Sequence, residues 1–80
     1  MKNKVYITLK TIEHVKEFTD ICQQYADDID ISSGRYVIDA KSIMGLMSIN
    51  LLEPVKVTIQ TFNENIIEDF MSKISKFMTE

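Results

Sequence analysis

The sequence has little of several residue types, and each shortage argues against a class of protein. Its one cysteine, Cys22, cannot form a disulfide within the chain, so the reducing cytoplasm is the expected compartment. Two glycines and one proline argue against collagen-like and Pro/Gly-rich disordered chains. No apolar run is long enough to cross a bilayer, and the N-terminus lacks the apolar core and cleavage site of a secretory signal.

Positive charge is also scarce. Nine Lys and Arg residues against twelve Asp and Glu residues give a net charge of −3, and no basic cluster with interleaved aromatic residues offsets it. Nucleic acid and membranes are therefore not expected partners. A hydrophobic content of 45% in 80 residues predicts one compact domain over residues 1–80 with an economical core.

Hydrophobic periodicity predicts a strand followed by a helix at the start of the chain. Val5, Ile7 and Leu9 alternate with polar or amphipathic residues, which predicts a strand over about residues 3–9. Apolar residues then recur at helical spacing from Ile12 to Ala26. Thr11 is the predicted N-cap, and Glu13 is well placed in the first turn.

The middle of the chain predicts a β-hairpin that turns at Ser33–Gly34. Residues of alternating polarity flank this turn, so one face of each strand should be buried. The residues predicted to point inward are Ile29, Ile31, Tyr36, Ile38 and Ala40.

A short helix, a fourth strand and a last helix complete the order βαββαβα. The strand begins after Pro54, and the last helix begins at the N-cap Asn63, with Phe62 and Ile67 spaced for a hydrophobic staple, and runs close to the C-terminus. Strands with one apolar face each predict an α/β (α+β) open-faced two-layer sandwich. In this fold, three helices cover one face of a four-stranded antiparallel sheet.

The short helix lies in the segment KSIMGLMS, residues 41–48, and Ser42 is its predicted N-cap. Its apolar residues occupy nearly every side, so a helix of this length cannot bury them all and some must face solvent or a partner. The alternative is that Met44 and Met47 pack under the loop 49–53 as core filler. The apolar residues are Ile43, Met44, Leu46, Met47 and Ile49.

The segment ADDIDISSGRYVIDAKSIMGLMSI resembles a stretch of the HPr family, the phosphocarrier proteins of the bacterial phosphoenolpyruvate-dependent sugar phosphotransferase system. In that family a hairpin leads without a gap into a K-S-I-M-G-[VL]-M-S helix. The resemblance implies the strand order 1-4-2-3. It also implies that Ile43, Met44 and Met47 bind enzyme I and the sugar-specific IIA proteins.

HPr proteins carry phosphate on a histidine in a G-[LI]-H-A-R-P-A motif at the entrance to the first helix, and this sequence departs from that motif. Counting back from Ser42 without a gap places Thr11 at the histidine and Glu13 at the arginine. Threonine does not form a phosphoramidate, and a carboxylate repels a phosphoryl group. The resemblance therefore indicates a divergent member that lacks the phosphohistidine motif.

His14, the only histidine, lies three positions beyond Thr11, and two interpretations stay open for it. It is either a residue at the edge of the core or a phosphoacceptor presented by a shift of register.

Ser42 also has two interpretations. The resemblance implies a regulatory serine that is phosphorylated by the HPr kinase/phosphorylase and then recognised by a catabolite-control transcription factor. A phosphate is well placed at a helix N-cap, where free N–H groups and the helix dipole favour negative charge. The other interpretation is an unmodified cap that stabilises the helix by about 1 kcal/mol.

These observations favour a cytoplasmic binding or regulatory module of the phosphotransferase system that is not an enzyme. The alternative is a divergent phosphocarrier that relays phosphate from enzyme I to IIA proteins through His14, and a third is a shared scaffold with unrelated partners. No cofactor or metal is expected, because the spacing of Asp27, Asp28 and Asp30 is not that of a calcium loop.

Overall fold

The computed structural model describes residues 2–49 and 53–78, and within them it confirms the predicted order of helices and strands. The strands form one antiparallel sheet in the order β1-β4-β2-β3, which is the order that the resemblance implied. The strands are β1 (Lys4–Ile7), β2 (Ile29–Ser33), β3 (Tyr36–Asp39) and β4 (Val55–Ile59). The helices are α1 (Ile12–Cys22), α2 (Ile43–Met47) and α3 (Glu64–Lys73), followed by a 3-10 turn, Ser75–Phe77.

The core lies between the helices and one face of the sheet. Alternate residues of the inner strands β2 and β4 point into it and are fully buried, as the period-2 pattern predicts. Cys22 is also fully buried, and burial raises the pKa of its thiol to about 12, so it packs as a small apolar residue. The largest fully buried side chains are Phe18, Phe70, Ile7, Ile29, Ile31, Leu46, Ile59 and Ile74.

β1 and α1 are both shorter than the sequence pattern predicts. β1 ends at Ile7, which pairs with Val55, and the next residue of the partner strand would be Pro54, which has no N–H to donate. α1 ends at Cys22 because the following turn tightens, with the N–H of Gln24 donating to the carbonyl of Ile21.

α3 is also shorter than predicted, because the chain leaves the α-helix at Ile74 and continues as a 3-10 turn. At about three residues per turn, this geometry returns Phe77 to the side of the helix that Ile74 occupies. Phe77 is 3% exposed and meets Phe18 edge to face, with ring centroids 6.0 Å apart. The 3-10 turn therefore closes the core beside α1.

The predicted positions of the Phe62 and Tyr36 side chains are wrong. Phe62 is 96% exposed, so it does not form a hydrophobic staple. The turn before α3 is instead held by a hydrogen bond from the N–H of Asn63 to the hydroxyl of Thr61. Tyr36 is 65% exposed, because it lies on the edge strand β3 beside the hairpin turn. Gly34, with a φ of 59°, allows the two-residue turn Gly34–Arg35, which lies one residue later than predicted because Ser33 pairs with Tyr36.

A polar cluster joins the end of α1 to α3. The hydroxyl of Tyr25 donates to the carboxylate of Asp69 at 2.6 Å, and Lys73 lies 3.3 Å from the same carboxylate. The hydrogen bond from Tyr25, and then the one from Lys73, lower the pKa of Asp69. Burial and the bond to Asp69 raise the pKa of Tyr25, so its phenol remains a donor.

This cluster predicts a pH dependence of folding stability. Because the pKa of Asp69 is lower in the folded chain than its ordinary value of 3.8, the bond stabilises the fold above that value, and the stabilisation is lost as the pH falls through the lower, folded value. Urea unfolding at a series of pH values should show wild type losing stability more steeply than Asp69→Asn between about pH 4.5 and pH 2. Glu68→Gln, at an exposed neighbouring position, is the matched control. Parallel curves for wild type and Asp69→Asn would contradict the role of this carboxylate.

Candidate functional site

Ser42 caps the N-terminus of α2, as the sequence predicts. Its backbone is extended, and its Oγ accepts a hydrogen bond from the N–H of Gly45 at 3.2 Å. The side chain of this residue is exposed. The hydroxyl therefore stabilises the start of the helix and is accessible from solvent.

α2 buries only part of its apolar surface. Leu46 is fully buried and anchors the helix on the sheet, whereas Ile43 is half-buried. Met44 is 80% exposed and Met47 is 46% exposed, so Met44 does not pack as core filler. The alternative in which both methionines pack under the loop 49–53 involves residues 50–52, which lie outside the described residues. The exposed apolar surface of Ile43, Met44 and Met47 is called the α2 face below.

Gly45 lets α2 approach strand β3 closely. A Cβ at this position would lie 2.7 Å from Cγ2 of Ile38, well inside normal contact distance. Ile38 is β-branched and held in the sheet, so its methyl group has little freedom to move. The glycine therefore fixes the distance between the helix and the strand, and this distance sets how far the α2 face stands above the sheet.

Thr11 is the N-cap of α1, and the structure places it at the helix entrance where the count from Ser42 placed the family histidine. Its backbone is extended, and its hydroxyl accepts a hydrogen bond from the N–H of His14 at 3.1 Å. Glu13 follows in the first turn, where a carboxylate favours the positive end of the helix dipole. Ile12, predicted to be on the buried stripe, is 57% exposed because it lies at the very start of the helix.

His14 lies in the first turn of α1 and is half-buried. Its ring meets Phe77 edge to face, with centroids 5.5 Å apart. Its Nδ1 atom is enclosed and has no hydrogen-bond partner among residues 2–49 and 53–78. A phosphoryl transfer to this ring would have to use the other nitrogen or a rotated ring.

A cation that the sequence analysis missed also lies on this side of the molecule. Lys76, in the 3-10 turn, forms an ion pair with Glu17, one turn beyond His14 on α1, and its Nζ lies 5.6 Å from the centre of the Phe77 ring. Nothing in the sequence indicates this contact, because Lys76 and Glu17 are 59 residues apart in the chain. Only the tertiary packing of the 3-10 turn on α1 brings them together.

The structure separates the two candidate phosphorylation positions. Gln23, just after α1, donates from Nε2 to the carbonyl of Lys41, and Nζ of Lys41 donates to the carbonyl of Tyr25. The residue before Ser42 is thus tied to the end of α1. His14 lies in the first turn, about 14 Å away along the helix axis. The two positions do not form one catalytic constellation.

No group of three metal-ligating side chains occurs in the described part of the chain. Asp30 uses one carboxylate oxygen to accept a hydrogen bond from Gln60 at 2.8 Å. A search of the described helices for one long and apolar enough to cross a membrane finds none.

The fold and the α2 face together define an HPr-like domain, and comparison with known proteins agrees. The model of one family, PTS-HPr, described as "PTS HPr component phosphorylation site", matches residues 7–80. The chain therefore belongs to the HPr family, the phosphocarrier proteins of the sugar phosphotransferase system. No curated protein sequence matches it.

Three solved structures are similar in fold. HPr-C-His from Thermoanaerobacter tengcongensis matches with a TM-score of 0.73 and 20% identity, over 91% of this chain and 90% of that one. The phosphocarrier protein HPr from Bacillus anthracis matches with a TM-score of 0.64 and 20% identity, over 88% and 93%. The Bacillus subtilis catabolite repression protein Crh, a swapped dimer in its crystal, matches with a TM-score of 0.64 and 21% identity, over 92% and 88%.

The close contact at Gly45 predicts the effect of a single methyl group. In an exposed helix, Gly→Ala should stabilise by about 1 kcal/mol, but here the new Cβ would meet Ile38, so we expect Gly45→Ala to destabilise the fold by about 1–3 kcal/mol. Met44→Ala, at an exposed position of the same helix, is the control and should change stability by less than about 0.5 kcal/mol. Urea unfolding measures both, and a stabilised Gly45→Ala variant would show that the contact is relieved.

Proposed function

We propose that this chain is a binding or regulatory member of the HPr family that does not carry phosphate on a histidine. The observation that carries the proposal is the position of Thr11 at the entrance of α1. There its hydroxyl accepts the hydrogen bond that caps the helix. In the HPr phosphocarriers that the sequence resembles, this entrance holds the phosphoacceptor, so the replacement removes the nucleophile and leaves the scaffold.

The charges around the helix entrance support this proposal. A phosphoryl group on α1 would lie near Glu13 in the first turn, and like charges there raise the free energy of the phosphorylated form. Lys76 lies on this side of the molecule, but it is paired with Glu17. For Lys76 to bind a phosphate, that pair would have to open.

The α2 face is the proposed docking surface for enzyme I and IIA proteins. Exposed methionines suit a surface that binds several partners, because the thioether side chain adapts its shape. Met44 is the most exposed side chain of this face, at 80%, and the anchored Leu46 beside it holds the helix in place. A partner could bury the apolar surface without any change of fold.

Ser42 is the proposed site of regulatory phosphorylation by an HPr kinase/phosphorylase. Its hydroxyl is exposed, and a phosphate there would accept from the N–H groups at the start of α2. Phosphorylation would place a dianion beside the α2 face and would change which partners bind, with a catabolite-control transcription factor as the expected partner of the modified form.

The second candidate function is a divergent phosphocarrier that uses His14. It is favoured by the position of this residue in the first turn of α1, on the same helix as the family site. It is opposed by the enclosed Nδ1 atom and by the edge contact with Phe77, which holds the ring against the core.

Phosphate incorporation separates the two candidates. With phosphoenolpyruvate and enzyme I, we expect no acid-labile phosphate on wild type, because Thr11 has replaced the nucleophile. With ATP and the kinase, we expect acid-stable phosphate on wild type and none on Ser42→Ala. Each product is measured by the mass shift of the intact chain before and after acid treatment.

The informative variants in the first reaction are His14→Ala and Thr11→His. Acid-labile phosphate on wild type that His14→Ala abolishes would establish the phosphocarrier and end the binding-module proposal. A family HPr run beside it proves that the enzyme I preparation is active. If Thr11→His gains acid-labile phosphate and wild type does not, the result would support the assignment of Thr11 to the position of the family phosphoacceptor.

Docking through the α2 face predicts that a charge in its centre weakens binding. We expect Met44→Glu to raise the Kd for enzyme I or a IIA protein at least tenfold in calorimetric titrations, because the apolar contact is replaced by a carboxylate that must be desolvated. Phe62→Glu is the matched control, since it removes an exposed apolar side chain elsewhere and should leave the Kd unchanged. Failure to bind enzyme I, IIA proteins and the kinase would mean that only the scaffold is shared.

A further inference from the structure

The face of the sheet that the helices leave uncovered carries an ordered pattern of side chains. The strand register arranges them in two rows that run across all four strands, from the edge strand β1 to the edge strand β3. One row is Lys4, Thr58, Asp30 and Asp39, and the next is Tyr6, Lys56, Ser32 and Val37.

The two ends of each row are chemically complementary. In the first row the exposed Lys4 lies on β1 and the exposed Asp39 lies on β3. In the second row Tyr6 on β1 is 57% exposed and Val37 on β3 is 68% exposed, so both ends present apolar surface. The β1–β4 half of the face thus carries the lysines and the β2–β3 half carries the carboxylates.

We propose that this open face is the interface of a weak homodimer, in which two copies pack face to face about a two-fold axis parallel to the strands. Such an axis places β1 of one copy over β3 of the other and keeps each row over itself. Lys4 then faces Asp39 of the second copy, and Tyr6 faces Val37 of the second copy. The symmetry makes each contact twice.

Sheet twist does not break this pairing. Packed sheets cross at about 30°, and the outer strands lie about 7 Å from the axis, so the ends of a row shift by about 3.6 Å, the length of one residue. The side chain of Lys4 is long enough to follow such a shift, and the ring of Tyr6 is broad enough to keep contact with Val37. The central residues of each row lie near the axis and move least.

The charges on this face are better satisfied by a second copy than within one chain. Asp30 and Asp39 lie directly opposite each other in the register, and like charges so placed destabilise a strand pair. Neither Lys4 nor Lys56 forms an ion pair in the part of the chain that the structure describes. In the proposed dimer the lysines of one copy offset the carboxylates of the other.

The carboxylates have the capacity for these new bonds. Asp39 accepts a hydrogen bond through Oδ1 from the N–H of Lys41, and Asp30 accepts one through Oδ2 from Gln60. A carboxylate has about four acceptor positions, so each keeps room for a lysine of the second copy. The dimer therefore requires no break of an existing contact.

The area of the face sets the strength of the dimer. Four strands about 4.8 Å apart and about four residues deep give a flat contact area of roughly 250 Å² per copy, or roughly 500 Å² for the two copies together, which is the size of a weak, transient contact. We therefore expect a Kd between about 10⁻⁴ and 10⁻³ M, and monomers at low concentration. Because the α2 face lies on the opposite, helical layer, the dimer would present two docking surfaces at once.

A charge-swap experiment tests the pairing. Sedimentation equilibrium between about 20 μM and 1 mM should show a monomer–dimer equilibrium for wild type. Lys4→Glu and Asp39→Lys should each raise the Kd about tenfold, because each reversal creates two like-charge pairs. The double variant Lys4→Glu/Asp39→Lys should bring the Kd back to within about threefold of wild type, since both pairs are restored in reverse.

Two control variants test whether a change of net charge alone alters the Kd. Lys16→Glu on α1 and Glu68→Lys on α3 make the same charge changes at exposed positions outside the face and should leave the Kd unchanged. Asp39 also accepts a hydrogen bond from the N–H of Lys41, so a second pair of substitutions leaves Asp39 unchanged. Tyr6→Glu and Val37→Lys should each weaken the dimer, and the double variant should restore its Kd.

The outcomes decide the proposal. A chain that is monomeric at 1 mM would overturn it. It would also be overturned if the single charge reversals changed the Kd no more than the control variants do. A double variant that dimerises no more tightly than the single variants would overturn it as well. A dimer that Met44→Glu abolishes and that both charge cycles leave unchanged would place the interface on α2 and would likewise overturn it.

Discussion

The burial of a single sheet face is the constraint on which the rest of this structure depends. The inner strands β2 and β4 place alternate residues in the core, and three helices are needed to cover them. Among residues 2–49 and 53–78, no helix lies on the other face. The molecule is therefore two-sided, with its stability concentrated between the layers and both outer surfaces available for partners.

The same constraint explains the composition of α2. With only five residues, the helix offers one side chain, Leu46, to the core, and Gly45 brings it close to the strand beneath. Every other apolar residue of the helix must then lie at its edge or outside. The exposed methionines are thus a consequence of a short, tightly held helix, and their retention costs solubility unless a partner covers them. This cost is the physical argument for reading the α2 face as a docking surface.

Local features of this fold could be predicted from the sequence, and contacts between distant segments could not. The N-caps Thr11, Ser42 and Asn63 were correct, because a capping side chain bonds only to residues two or three positions away. The buried faces of the inner strands β2 and β4 were correct because their period is local. The position of Phe62 and the contact between His14 and Phe77 depend on how α3 and the 3-10 turn meet the rest of the chain, and no local pattern contains that information.

In the proposed function, Thr11 is the position at which the fold is kept and the chemistry is lost. A threonine at the start of α1 stabilises that helix by about 1 kcal/mol, because its hydroxyl satisfies an N–H that would otherwise lack an intrahelical partner. An exposed nucleophile at the same place is selected for reactivity and is often less than optimal for stability. Once phosphate transfer is no longer required, a residue that caps the helix is favoured at that position. Neither the burial of the sheet face nor the packing of α2 depends on this cap, so under this proposal the docking surface is kept when the reaction is lost.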